Sequence, residues 1–308
     1  MSPDPLDRGR RAALSRRLSR IARDETGLLG MDGPAASISR IGLTGAPGAG
    51  KSSLIGVLAA HRAAAHAPLG ILAIDPSSPL NHGSVLGDRI RMDGVSGNDA
   101  VFIRSLPSKS AHDGLCANVE PLLRVFDDAG FAEVLLETVG VGQAQHTLCA
   151  VVDSVVMVLS PHAGDSIQAM KAGLLEMADI YVVNKSDLPD ARRTAAELRS
   201  VVQRGAPQAA WTPPVLLACA LSGDGVAELS QAIDDHRSRV VQHRDAAAVA
   251  AQRMRHHVFE VLQRGLADTV RDCDPALWSQ PVAAILATIS QQWILHRPWD
   301  APDRTGAD

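Results

Sequence analysis

Residues Gly45-Ala46-Pro47-Gly48-Ala49-Gly50-Lys51-Ser52 spell the pattern GxxxxGK[ST], with Ser53 directly after it. Residue types in this order suit one task, the holding of phosphate. Glycines let successive backbone N–H groups turn inward onto phosphate oxygens, and a helix that starts there adds its positive end. Lys51 is placed to neutralise the β- and γ-phosphates, and the Ser52 hydroxyl to ligate Mg²⁺. The apolar run ISRIGLT (38–44) precedes the loop and a helical pattern follows it, which is the context the motif requires.

Three further groups arrive in a fixed order along the chain. Glu137-Thr138-Val139-Gly140 closes the apolar run EVLLE. An acid there can hold a Mg²⁺-bound water, and the Gly140 N–H can touch a γ-phosphate. Asn184-Lys185-Ser186-Asp187 closes the run DIYVVN and reads NKxD. The Asp187 carboxylate can accept from both N1–H and the 2-amino group of guanine, which adenine does not offer, so the expected ligand is GTP and not ATP. Cys219-Ala220-Leu221 ends the last apolar run, where a backbone N–H could reach guanine O6. Many GTPases place a water-orienting glutamine directly after the glycine of the third motif. Here that position is Val141, with Gln143 two residues further, and slow intrinsic hydrolysis is expected until a partner or a reordered switch completes the site. The chain has only four lysines, Lys51, Lys109, Lys171 and Lys185, among 30 basic residues. Where arginine is so strongly preferred, a retained lysine points to a point-charge role, and two of the four lie in these motifs.

Such residues need a rigid platform. Short Val/Ile/Leu-rich runs alternate with helix-length segments: 38–44, 69–75, 101–105, 133–138, 154–160, 179–184 and 214–220. Continuous apolar runs separated by helices predict parallel strands buried on both faces, hence a doubly wound α/β sheet. Residues 1–36 read as an N-terminal helical extension, 37–244 as the P-loop domain and 245–308 as a C-terminal helical arm. In the extension, Leu14, Leu18 and Ile21 make one apolar stripe on an otherwise solvated helix. In the arm, Met254, Val258, Val261, Leu262 and Leu266 make another, which must cover something outside the sheet.

Composition narrows the class. The 308 residues are 46% hydrophobic and 21% charged, enough for a sizeable core. Aromatics are 3% and the formal net charge is −4, so neither base stacking nor a general attraction to nucleic acid or anionic membrane is expected. No apolar run approaches the roughly 20 residues of a membrane span. The four cysteines, Cys116, Cys149, Cys219 and Cys273, are scattered, which predicts a reduced, cytoplasmic protein without a zinc knuckle.

From about residue 38 to 240 the sequence resembles the MeaB/ArgK-type P-loop GTPases, chaperones of adenosylcobalamin-dependent acyl-CoA mutases. The resemblance rests on GAPGAGKSS, AIDPSSP with HGSVLGDRIRM, ETVGVGQ, AGDSIQAMKAG, VVNKSD and WTPPV. It implies GTP/GDP and Mg²⁺ as ligands, a homodimer built on the C-terminal arm, and a function in gating cofactor loading and protecting the mutase. Methylmalonyl-CoA mutase or a close relative is the implied partner, with a cobalamin adenosyltransferase as a further one. By position it makes Asp75 and Asp88 metal- and switch-region carboxylates, Glu137 the acid of the third motif, and Lys171 the base of a third switch. Three places depart from the family pattern, all in switch segments: Ala144-Gln145, His82-Gly83 and Gly164-Asp165-Ser166. Two other roles use a similar sheet. A nickel-delivering metallochaperone GTPase needs a Cys/His motif near the switches, which is not seen, and an ATP-dependent protein kinase linked to amino-acid transport conflicts with Asp187.

Overall fold

The computed structural model describes residues 6–24, 28–31, 38–76, 95, 97–108, 118–138, 143–161, 177–205 and 211–295. Seven strands form one sheet: β1 (Ser39–Thr44), β2 (Leu69–Pro76), β3 (Val101–Ser108), β4 (Glu133–Glu137), β5 (Ser154–Leu159), β6 (Ile180–Val183) and β7 (Val215–Leu217). Every pairing is parallel and the order is β3-β2-β4-β1-β5-β6-β7. Each of the seven apolar runs is thus a strand, with ends shifted by at most a few residues.

Side chains of a strand alternate between the two faces, and both faces are covered. On one side Leu72, Ile74, Val134, Leu136, Val155 and Met157 join one core. On the other, Ile71, Ala73, Leu135, Val156 and Val158 join a second core with Leu54, Ile55 and Leu58 of α2 (Lys51–Arg62). The first core is closed by α1 (Arg8–Arg23), α3 (Val119–Asp128), α4 (Gln143–Val151) and α5 (Ala191–Gly205), and α6 (Val226–Arg239) packs beside α2 on the second. That two-sided burial is why the strands read as unbroken apolar runs. At Gly42 of β1 a Cβ would lie 2.7 Å from the Leu148 side chain, so the absence of a side chain there lets α4 rest on the sheet.

The helical stripe at the N-terminus is confirmed as a packing face: Leu14, Leu18 and Ile21 are buried, and Asp7 caps α1 by accepting from the Arg10 amide at 2.7 Å. The C-terminal stripe behaves differently. In α7 (Ala246–Arg271) the inward positions are Arg253, His257 and Val261, whereas Met254, Val258 and Leu266 are exposed. A charged contact anchors this helix: Arg253 Nη2 donates to Asp153 Oδ1 at 2.6 Å. Asp153 also accepts from the Arg40 amide, and Arg40 forms a buried two-bond pair with Glu120 at 2.6 and 3.0 Å. Burial by itself would raise the Glu120 carboxyl, but the hydrogen bonds and charge of Arg40, with Arg253 and Arg124, hold it below its ordinary range. A last helix, α8 (Val282–Leu295), follows α7 and was not separated from the arm by its sequence pattern. Among the described residues, no helix is long and apolar enough to cross a membrane.

Candidate functional site

The phosphate loop connects β1, in the middle of the sheet, to α2. Parallel strands end together, so Thr44, Glu137 and Leu159 come to the same sheet edge, which is where open α/β sheets hold ligands. The loop's glycines answer specific steric demands. Gly45 has φ +146° and a Cβ there would lie 2.0 Å from the Val158 carbonyl oxygen. Gly50, the residue capping α2, has φ +86° and a Cβ would lie 2.4 Å from Asn184 Nδ2. Lys51 is buried, and its ammonium donates to the carbonyls of Gly45 (2.9 Å) and Ala46 (3.2 Å), so the charge lies within the ring of the loop. Ser52 Oγ, one residue on and also buried, donates to Glu137 Oε1 at 2.7 Å. Pro47, Gly48 and Ala49 complete the turn and Ser53 continues α2.

A second layer of the site holds the loop from the far side. Asn184, at the end of β6, is buried and donates through Nδ2 to Ala49 O (2.9 Å) and Gly50 O (3.3 Å). Its Oδ1 accepts from the Ala220 amide at 3.2 Å, and Lys185 Nζ donates to Gly48 O at 2.8 Å. One amide side chain therefore ties three segments together, the phosphate loop, the NKxD turn and the loop after β7. Sequence reading assigned Asn184 to this motif without foreseeing that bridge. Asp187 is exposed, with its Oδ1 accepting from the Cys219 thiol at 3.2 Å. The carboxylate is oriented by a buried partner while its other face stays open.

The loop after β7 departs in detail from expectation. The Cys219 amide donates to Asp224 O (2.9 Å) and the Ala220 amide to Asn184, so two of the three amides considered for guanine O6 already have partners. Leu221 is 92% exposed. What Cys219 contributes is its side chain, a role that a search for backbone donors could not find.

Of the remaining site residues named from sequence, Asp75 lies at the end of β2, two residues beyond Ala73, the register partner of Glu137. Its backbone is thus at the phosphate edge of the sheet. Asp88, Gly140 and Lys171 lie outside the described residues, as do Val141 and the departures at 82–83 and 164–166.

A seven-stranded parallel sheet with this loop between its central strand and α2 defines a P-loop nucleotide-binding fold. Residues 24–274 match the family described as Methylmalonyl Co-A mutase-associated GTPase MeaB, and the chain belongs to that family. A relative in Pyrococcus abyssi is 40% identical over 200 residues, which are 64% of this chain and 62% of that protein. The mouse protein named methylmalonic aciduria type A homolog, mitochondrial, is 35% identical over 224 residues, 71% of this chain and 53% of its own length. This chain therefore spans less than two thirds of either relative. Among solved structures, the crystal structure of an LAO/AO transport system kinase is similar with a TM-score of 0.63 and 24% identity, covering 92% of this chain and 93% of that one. At that identity the likeness is one of fold.

Proposed function

We propose that this chain is a Mg²⁺-dependent GTPase whose slow turnover gates cofactor loading of an adenosylcobalamin-dependent acyl-CoA mutase, and protects or reactivates that enzyme. The observation that carries the GTPase reading is the bond of Ser52 to Glu137 beside the buried Lys51 ammonium. Two hard oxygen donors 2.7 Å apart at the end of a phosphate loop suit a small divalent cation. Mg²⁺ bound there would neutralise charge on the phosphate oxygens; Asp75 and Asp88 are the further acids that the family resemblance assigns to it.

The protein's own groups do the rest. Backbone N–H groups between Gly45 and Ser53, other than at Pro47, hold the phosphates, and the Lys51 ammonium leaves its carbonyl partners to face the β- and γ-phosphates. Asp187, held by Cys219, reads N1–H and the 2-amino group of guanine. Phosphoryl transfer needs such positioning and charge neutralisation more than covalent chemistry. No water-orienting side chain is supplied at Val141, so the partner or a reordered switch completes the site, with Lys171 as the responsive base.

The partner reading is supported by the family's description and by the name of the mouse relative. A homodimer is supported by Val258, Phe259 and Leu266 of α7, which is anchored to the domain through Arg253, and by Leu286 of α8, which packs on α7; these four are 44–59% exposed. The division into extension, P-loop domain and arm at residues 36 and 244 belongs to the same reading, as does a cytoplasmic location.

GTP turnover with and without purified methylmalonyl-CoA mutase tests both parts, on the wild type and on Lys51→Ala. We expect turnover to rise with the mutase and to vanish in the variant. Equal turnover in Lys51→Ala would remove the phosphate-site assignment; a wild type indifferent to the mutase would remove the partner.

A further inference from the structure

Helix α1 carries seven arginines in 16 residues and no acid. Three of them dock the helix. Arg10 donates to Ala129 O, Arg11 to Asn98 O (3.2 Å) and Asp99 O (2.9 Å), and Arg17 pairs with Asp128. The other four, Arg8, Arg16, Arg20 and Arg23, are exposed and make no hydrogen bond or ion pair among the described residues. At about 100° per residue they fall within an arc of about 120°, opposite the buried Leu14, Leu18 and Ile21. Along the axis they extend about 22 Å at 1.5 Å per residue.

This arrangement works against the helix that bears it. Arg16 and Arg20 are four apart, Arg20 and Arg23 three apart, so like charges face one another on adjacent turns. At the positive end the Asp7 cap supplies a carboxylate, but the first turn adds no further acid and begins with Arg8, Arg10 and Arg11. By contrast α5 places Arg193 and Glu197 at the same spacing as a pair, 3.5 Å apart. The charge is also local: the chain is −4 as a whole and α1 is +7, leaving −11 for everything else.

We propose that the outer face of α1 is a docking surface for an acidic protein segment, a helix or strip bearing carboxylates at three- and four-residue spacing. Guanidinium groups pair with carboxylates through two parallel hydrogen bonds, so four of them in line read a row of acids better than a diffuse potential would. A nucleic-acid duplex fits less well, because it extends past 22 Å onto a surface whose net charge repels it. A membrane also fits less well. Between the arginines the face offers Gly9, Ala12 and the half-buried Ser19, with Ala13 at its margin, and no large apolar side chain to insert. Nothing in this inference depends on the identity of the mutase or on the nucleotide.

The test uses the full chain and a labelled 20-residue helical peptide with glutamates at that spacing, beside a scrambled peptide of equal charge. Fluorescence anisotropy reads binding for the wild type, for Arg16→Glu/Arg20→Glu/Arg23→Glu, and for the same three positions changed to Lys. We expect the patterned peptide to bind at least tenfold more tightly than the scrambled one. The glutamate variant should lose at least tenfold, and the lysine variant should lie between it and the wild type. GTP turnover without partner should be unchanged in both variants, which shows that they are folded. Equal binding of the two peptides, or an unchanged glutamate variant, would overturn the proposal. So would tighter arginine-dependent binding of a 20-base-pair duplex, or of vesicles with 30% phosphatidylserine, than of the patterned peptide.

Discussion

Replacing Gly50 by Ala perturbs the joint between the phosphate and base halves of the site. Two costs are separable. An L-residue at φ +86° carries about 1–2 kcal/mol of backbone strain. The new Cβ would also stand 2.4 Å from Asn184 Nδ2, so that side chain must leave. Its two donor bonds, to Ala49 O and Gly50 O, are then lost, at about 0.5–1.5 kcal/mol each. The sum is about 2–5 kcal/mol. Asn184→Ala removes the group that is struck, so in that background Gly50→Ala should cost only the strain. Urea unfolding of the two single variants, the double variant and the wild type closes the cycle, with an expected coupling of about 1–3 kcal/mol. A fluorescent GTP analogue should bind more weakly to both single variants, since both loosen the same loop. Additivity within about 0.5 kcal/mol would refute the view that one amide side chain locks the loop.

Three other outcomes are expected. Asp187→Asn should cut the preference for GTP over ATP by about 1–3 kcal/mol, the size of a charge-assisted hydrogen bond; unchanged competition between the two nucleotides would dismiss the base-reading role. Glu120 is held below its ordinary value near 4.5, so its contribution is present above that pH and lost as pH falls through the lowered value. Glu120→Gln leaves Arg40 buried without its counter-charge and should cost about 3–5 kcal/mol at neutral pH while flattening the acid limb of the urea midpoint against pH; an unaltered limb would show that other carboxylates govern acid unfolding. Val258→Asp with Leu266→Asp should halve the molar mass seen by light scattering, and either a monomeric wild type or a dimeric variant would end the arm model.

How much of this could be read in the sequence depended on whether a feature is local. The seven strands were legible because burial on both faces leaves no polar alternation, and a run such as SVVMVLS is too short and too rich in β-branched residues to suit a helix. The phosphate loop was legible because its glycines, lysine and serine are contiguous. What could not be read is what depends on distant chain segments meeting. Asn184 touches Ala49, 135 positions earlier, and Ala220, 36 later. Nothing in the motif's spelling states that its first residue clasps the phosphate loop. The Cys219 side chain was hidden for the same reason, because its partner Asp187 lies 32 residues away. In α7 the periodicity was real, but it did not say which of two surfaces the stripe covers. The stripe was expected to cover either its own domain or a second subunit; Arg253, His257 and Val261 are the positions buried within the chain, and Met254, Val258 and Leu266 of the stripe stay exposed. A charged residue can serve as an inward anchor when the core offers a counter-charge, as Asp153 does for Arg253. Apolar residues released from that duty are then free for a second surface. That division explains how an arm can be fixed to its own domain by ion pairs and still present an apolar face to another molecule, a separation that hydrophobicity alone does not reveal.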